Sequence, residues 1–218
     1  MTARHLAILG YGNVGTAIAS AARRAGHAVT FAANSDNPGA AERHIAATPE
    51  LAGVAVAEPL AAVVRADLVV VALPFRALDA AIAPLAGALA GLPVVDATNP
   101  VGPGLTHALG SRSGAERLAA LAPDAHVVKA FNIYGAENLA GVPSAPGSPT
   151  PLMPYAGDDR SAKAVAAGLI ADLGWEPLDV GPLSAALDLE HLALLWIRMV
   201  RMGGLDGHLV WSALRWTP

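Results

Sequence analysis

Short apolar runs alternate with longer stretches of helical pattern along most of the chain. Residues 5–9 (HLAIL) are the first run; an Ala-rich helix of about four turns follows, closed by Gly26 and His27 before a second run at 28–33. Residues 40–47 read as a helix, 54–57 as a short strand, and 59–65 as a helix leading into 67–73, DLVVVAL, which Pro74 ends. A continuous β-branched run of that kind suits a strand buried on both faces of a parallel sheet. The pattern then predicts a helix over 75–90 despite Pro84, a fifth strand at 92–97, a helix ending over 116–121 and a sixth strand at 125–130. Six such strands with helices between them predict an α/β fold, a doubly wound parallel sheet whose ligands bind beyond the carboxyl ends of its strands. Those ends fall at 10–15, 33–36, 73–75, 97–100 and 130–134.

Residues 141–154, GVPSAPGSPTPLMP, carry prolines at 143, 146, 149, 151 and 154, too many for a helix or a central strand, and read as a surface loop. A strand near 151–156, a helix from Asp158 or Asp159 to Leu173, a strand near 175–180 and one or two helices from Leu183 onward follow. Asp158 and Asp159 are N-cap types, and Gly174 is a natural stop. The expected organisation is a dinucleotide-binding domain over 1–140 and, over 141–218, the proline-rich loop with a small C-terminal α/β extension packed on it, not an independent domain. In the last helix Leu189, Leu192, Leu195 or Trp196, Met199 and Met202 recur at steps of three or four. Core packing is the default for that stripe, and a homodimer contact is the alternative.

Chemistry enters at the first corner, where Gly10, Gly12 and Gly15 stand as G-x-G-x-x-G between a strand and a helix. The first glycine allows the tight turn, the second lets a pyrophosphate approach the backbone, and the third lets the helix pack on its strand. The amides of Asn13, Val14 and Gly15, with the positive end of the helix dipole, then hold the phosphates. This is the fingerprint of a Rossmann-type domain. An acidic group at the end of the second strand would hold a ribose 2′-hydroxyl and a basic one a 2′-phosphate. Here Asn34 and Ser35 stand there, donors to a phosphate, with Asp36 just beyond, so the residues leave NADP and NAD both open.

Composition narrows the function classes. In 218 residues there is no cysteine, hence no disulfide framework, thiolate metal site or cysteine nucleophile. The net charge of −4 comes without a long basic run, which argues against nucleic acid and a polybasic membrane contact. The opening apolar run stops at the glycine corner, too short for a signal-peptide core, and 187–202 is interrupted by Asp188, Glu190, Arg198 and Arg201, so neither is a membrane span. A cytoplasmic protein is expected. No Ser-His-Asp arrangement, G-x-S-x-G turn or metal-ligand spacing is present, so no catalytic side chain and no metal are assigned. The histidines have ordinary readings, and Asp96 and Lys129 read as buried polar groups satisfied by hydrogen bonds, with proton transfer the alternative for Lys129, which lies three positions before Asn132 at the ligand edge.

Four stretches, ILGYGNVG at 8–15, VVDATNP at 94–100, VVKAFN at 127–132, and YAGDD at 155–159 followed by LDVGPL at 178–183, carry a resemblance to the NADP oxidoreductases that depend on coenzyme F420, a deazaflavin, and to the related nucleotide domain of the six-transmembrane metalloreductases. The resemblance implies a Rossmann-type domain with a small extension, often dimeric, that passes hydride between NADP(H) and F420. It implies pyrophosphate contacts at Gly10, Gly12, Asn13, Val14 and Gly15, a lining of ribose and nicotinamide by Leu73 and Pro74, and Asn99 and Ala130 beside the nicotinamide. Phe131 and Asn132 would face the acceptor. Many relatives place Ser-Arg at the second strand's tip, where this chain has Asn34-Ser35-Asp36. The readings kept beside it are an NAD(P)H-dependent reductase of a flavin, a quinone-like ring or a ferric complex, and a non-catalytic NAD(P)-binding sensor or scaffold.

Overall fold

Eight strands make one sheet in the order β3-β2-β1-β4-β5-β6-β7-β8. They are β1 His5–Leu9, β2 Ala28–Ala32, β3 Ala55–Ala57, β4 Leu68–Val71, β5 Pro93–Asp96, β6 His126–Lys129, β7 Leu152–Gly157 and β8 Glu176–Asp179. Every neighbouring pair is parallel except β6 with β7. The computed structural model describes residues 2–34, 36–142, 147–214 and 216. Ser35 and the prolines at 143 and 146 lie outside the described residues.

The alternation of side chains along each strand splits the interior in two. Leu6, Ile8, Leu68 and Val70 face one layer, which α1 (Asn13–Arg24), α6 (Ala136–Leu139), α7 (Arg160–Asp172) and α8 (Ala186–Ile197) complete. Ala7, Leu9, Val69 and Val71 face the other, with α3 (Pro59–Val64), α4 (Leu78–Ile82) and α5 (Gly114–Leu121). This is a Rossmann-type α/β fold, and both faces of β4 are closed to solvent, as its unbroken apolar run requires. Sequence order reverses between β1 and β4, which leaves a crevice beyond their carboxyl ends. The short helix α2 (Ala40–Ala46) follows the tip of β2.

Two expectations need correction. The stretch 75–90 is not one helix but a 3-10 turn Phe75–Ala77, α4, and a second 3-10 turn Ala83–Leu85. Pro84 has no amide to donate and its ring crowds the carbonyl one turn back, so the α-helix stops before it. Residues 151–154 are not surface loop, because Leu152, Met153 and Pro154 are buried within β7. Toward β8, β7 presents the carbonyls of Pro151 and Tyr155, which accept from Glu176 and Val180. Toward β6 the ladder begins only at Ala156. Pro154 therefore points its missing donor to the side where no strand needs it.

The chain after β6 continues this sheet. Asp159 caps α7 by accepting from the amide of Ala162 at 2.7 Å, and Asp158 accepts from Leu183 at 2.8 Å. In α8 and the π-helical turn Arg198–Met202 the buried stripe is Leu189, Ala193, Trp196 and Val200, whereas Leu195 and Met202 face solvent. No helix among the described residues is long and apolar enough to cross a membrane.

Candidate nucleotide and acceptor site

At the end of β1 the three glycines have three different surroundings. Gly10 has φ +108°, and a Cβ there would stand 2.5 Å from the carbonyl oxygen of Ala72 at the end of β4. A Cβ on Gly15 would stand 1.9 Å from the carbonyl oxygen of Gly10, so only glycine lets α1 pack this close. Gly12 is different. Its φ of −71° suits any residue, and a Cβ would meet nothing within 4 Å. It is the N-cap of α1 without a capping side chain, and the first turn carries no acidic residue. The amides of Asn13, Val14 and Gly15 therefore open a helix toward unfilled space, the geometry an anion takes. The turn fits a pyrophosphate.

The tip of β2 lies beside this corner. Thr16 and His44 share a hydrogen bond of 2.7 Å between Oγ1 and Nε2, and the Tyr11 ring lies 6.0 Å from that of His44 and edge-on to Phe31. Asn34 is exposed, and its Oδ1 accepts from the Asp36 amide at 3.0 Å, an Asx turn that occupies that oxygen. Asp36 is exposed as well. From α2, Arg43 reaches back over this loop and donates to the carbonyl of Pro38 at 3.2 Å and to Asn37 Oδ1 at 3.0 Å.

Further along the carboxyl edge, Leu73 and Pro74 follow β4, and the Leu73 amide abuts the place where a Gly10 side chain would be. Asn99 and Asn132, after β5 and β6, hold each other: Asn99 Nδ2 donates to the carbonyl of Asn132 at 2.7 Å, and Asn132 Nδ2 to Asn99 Oδ1 at 3.0 Å. Asn132 Nδ2 also donates to the carbonyl of Leu189 in α8. Both asparagines line a cleft of about 320 Å³ whose other walls include Tyr134, Ala193, Trp196 and Arg201. Arg201 lies 5.6 Å over the Trp196 ring and donates to Glu137. Ala130 and the side chain of Phe131 are buried in the core, so Phe131 does not face this cleft. Its φ of +59° turns the backbone at the end of β6 and brings Asn132 opposite Asn99, the kind of strain that clusters at ligand edges.

Behind the cleft is a buried charged cluster. Lys129 Nζ donates to Asp96 Oδ2 at 2.9 Å, to Glu190 Oε1 at 2.6 Å and to the carbonyl of Thr98 at 2.5 Å, and the side chains of Lys129, Asp96 and Glu190 are all shut off from solvent. Two carboxylates face one ammonium, and backbone amides supply the rest. Thr98 donates to Asp96, and Gly114, first residue of α5, donates to both oxygens of Glu190 at 2.9 and 3.0 Å. The helix end adds partial positive charge there. His107 accepts from the Leu109 amide at Nδ1, which leaves Nε2 to donate to Glu190 at 2.7 Å. Lys129 thus holds the 97–100 turn, and with it Asn99, against α8. It is a positioning residue with no exposed atom. The pattern around α8 hid the roles of Glu190 and Arg201, since their partners Lys129, Gly114 and Glu137 lie in distant segments.

Comparison with known proteins gives this arrangement a setting. Residues 5–100 match the model of the family described as NADP oxidoreductase, coenzyme F420-dependent. Over these residues the chain belongs to this family. A protein from Arthrobacter sp. FB24, described as a candidate F420-dependent NADP reductase, superimposes with a TM-score of 0.80 and 28% identity, covering 94% of this chain and 96% of that one. A protein from Sinorhizobium meliloti, SMa0349, superimposes with a TM-score of 0.73 and 31% identity, over 85% of this chain and 88% of that one. The metalloreductase STEAP3 of Rattus norvegicus is 34% identical over 188 residues, which is 86% of this chain and 36% of the rat protein. The chain spans little more than a third of that relative's length.

Proposed function

We propose that this member of the family binds NADP(H) across the β1–β4 crevice and passes a hydride between its nicotinamide and a deazaflavin ring of the F420 type. The observation that carries the reading is Gly12, a glycine that neither its backbone angles nor its neighbours require. A phosphate brought against the backbone does require it. The nicotinamide supplies the hydride chemistry when bound. The chain's part is to bind and orient: amides at 12–15 hold the pyrophosphate, Leu73 and Pro74 line the ribose, and Asn99 and the backbone at Ala130 and Phe131 border the ring. Asn132, Trp196 and Arg201 form the wall an acceptor ring meets, and the buried Lys129 cluster keeps that wall in register with the sheet. No side-chain acid or base is needed, because contact between two rings in a water-poor cleft is the main demand. A second copy docked on α8 would cover Leu195 and Met202, and sedimentation at tens of micromolar tests that homodimer.

The likeness to the rat metalloreductase over most of this chain favours a second reading, in which the acceptor is a flavin or ferric complex. Mixing the protein with NADPH and each acceptor in turn, and following the loss of nicotinamide absorbance, separates the two. Turnover with F420 supports the first reading. Turnover with flavin or iron alone supports the second, and tight NADPH binding without turnover on any acceptor leaves a nucleotide sensor.

A further inference from the structure

Resting on the proposed NADP(H) reading, we infer that Arg43, not the residues at the strand tip itself, determines the choice of NADP over NAD by taking the 2′-phosphate. The tip of β2 holds no cation: it carries Asn34, a neutral side chain whose Oδ1 accepts from the Asp36 amide, and then Asp36, whose carboxylate would repel a phosphate. A basic residue further along the chain has to supply the charge. Arg43 is the cation the fold brings there. Its side chain folds back one helical turn, so that Nη1 lies 2.9 Å from where a Cβ of Gly39 would be, and its two bonds anchor it on Asn37 and Pro38. Gly39, at φ +72°, gives that approach both the turn and the room.

Those two bonds go to neutral oxygens. Among the described residues Arg43 has no ion pair, whereas the exposed Arg117 and Arg201 each have a carboxylate partner. Two of its five N–H groups are in use, which leaves a fixed, exposed guanidinium with donors to spare. A phosphate monoester carries about −1.5 to −2 charges and three acceptor oxygens, which suits that fork. Location completes the case. His44, the next residue, is bonded to Thr16 of α1, and Tyr11 of the glycine corner lies against its ring, so α2 borders the nucleotide crevice. Glu42 and Asp36 are the exposed acids nearby in sequence, and both oppose a phosphate, so without Arg43 the tip would favour an unphosphorylated ribose.

The test is titration of NADPH and of NADH into the wild-type protein, Arg43→Ala and Arg43→Gln, followed by nicotinamide fluorescence. Arg43→Gln keeps a donor for Pro38 or Asn37 and loses only the charge, which separates loop order from phosphate recognition. Wild type is expected to prefer NADPH. Both variants should lose NADPH affinity by about 10- to 100-fold, the value of a charge-assisted contact, while NADH binding changes by less than about twofold. Equal loss for both nucleotides, no loss for either, or a wild type that prefers NADH overturns the assignment. A wild type that binds neither nucleotide sinks the NADP(H) reading itself, whereas one that binds NADPH with variants unchanged sinks only the role of Arg43.

Discussion

The glycine corner separates what folding needs from what ligand binding needs, residue by residue. Gly15→Ala drives a methyl into the backbone carbonyl of Gly10, 1.9 Å away. Since backbone cannot swing aside, the variant should lose about 1–3 kcal/mol or more in a urea titration. Gly12→Ser meets open space, and serine is a preferred N-cap, so stability should hold or rise slightly. Its hydroxyl, however, would take the α1 amides that the phosphates need. NADPH affinity should fall by about tenfold or more in calorimetry, with the melting curve unmoved. Lys129 belongs to the other category. Lys129→Met leaves Asp96 and Glu190 buried without their cation, and breaking a buried pair costs about 3–5 kcal/mol. A urea midpoint close to that of wild type would show the cluster to be less closed than the distances imply.

Elements that organise themselves locally were legible in the chain; those placed by distant partners were not. The run DLVVVAL and the glycine-flanked helix gave β4, β1 and α1 within a residue or two, because burial on both faces and a glycine-rich corner leave a strictly local trace. On the acceptor side only the family resemblance pointed to Asn99 and Asn132. Glu190 reads as one of several charged residues on an otherwise apolar helix, and only the crossing of α5, α8 and β6 shows that it closes the Lys129 cluster. Pro154 reads as a strand breaker because the asymmetric ladder that tolerates it is a property of three neighbouring segments.

One such long-range tie gives a pH prediction. The Tyr134 hydroxyl donates to the carbonyl of Leu152 in β7 and accepts from the amide of Trp211, and the ring stacks on Trp175 at 4.9 Å. Burial pushes its pKa well above the ordinary tyrosine value, the amide of Trp211 offsetting part of the rise. As pH climbs through about 10 the unfolded chain releases this proton first, so the stability held by the neutral hydroxyl is complete below that point and is lost above it. The urea midpoint of wild type should therefore fall more steeply than that of Tyr134→Phe between about pH 9 and about pH 11. At neutral pH the variant should be weaker by about 1–2 kcal/mol.

At the scale of the molecule, the proposed ligand edge is assembled from the ends of five neighbouring strands, β2-β1-β4-β5-β6, while β7 and β8 extend the sheet beyond β6 and α7 packs across them. A nucleotide lying along that edge touches elements far apart in sequence and binds the folded chain alone, so it must stabilise the whole sheet by mass action. At a hundredfold excess over its dissociation constant NADPH should contribute about 2.7 kcal/mol, which for a chain of this size is about 5–10 °C in melting temperature. In Gly12→Ser, with binding about tenfold weaker, the shift should fall to about half or less. Hydrogen exchange should locate the gain: amides at 12–15, the loop 36–43 and the turn at 97–100 slow on binding, whereas those of β8 respond only through the global term. A melting shift accompanied by protection confined to the cleft of Asn132 and Trp196 would mean that the nucleotide lies on the acceptor side, and the orientation assigned to the crevice would have to be reversed.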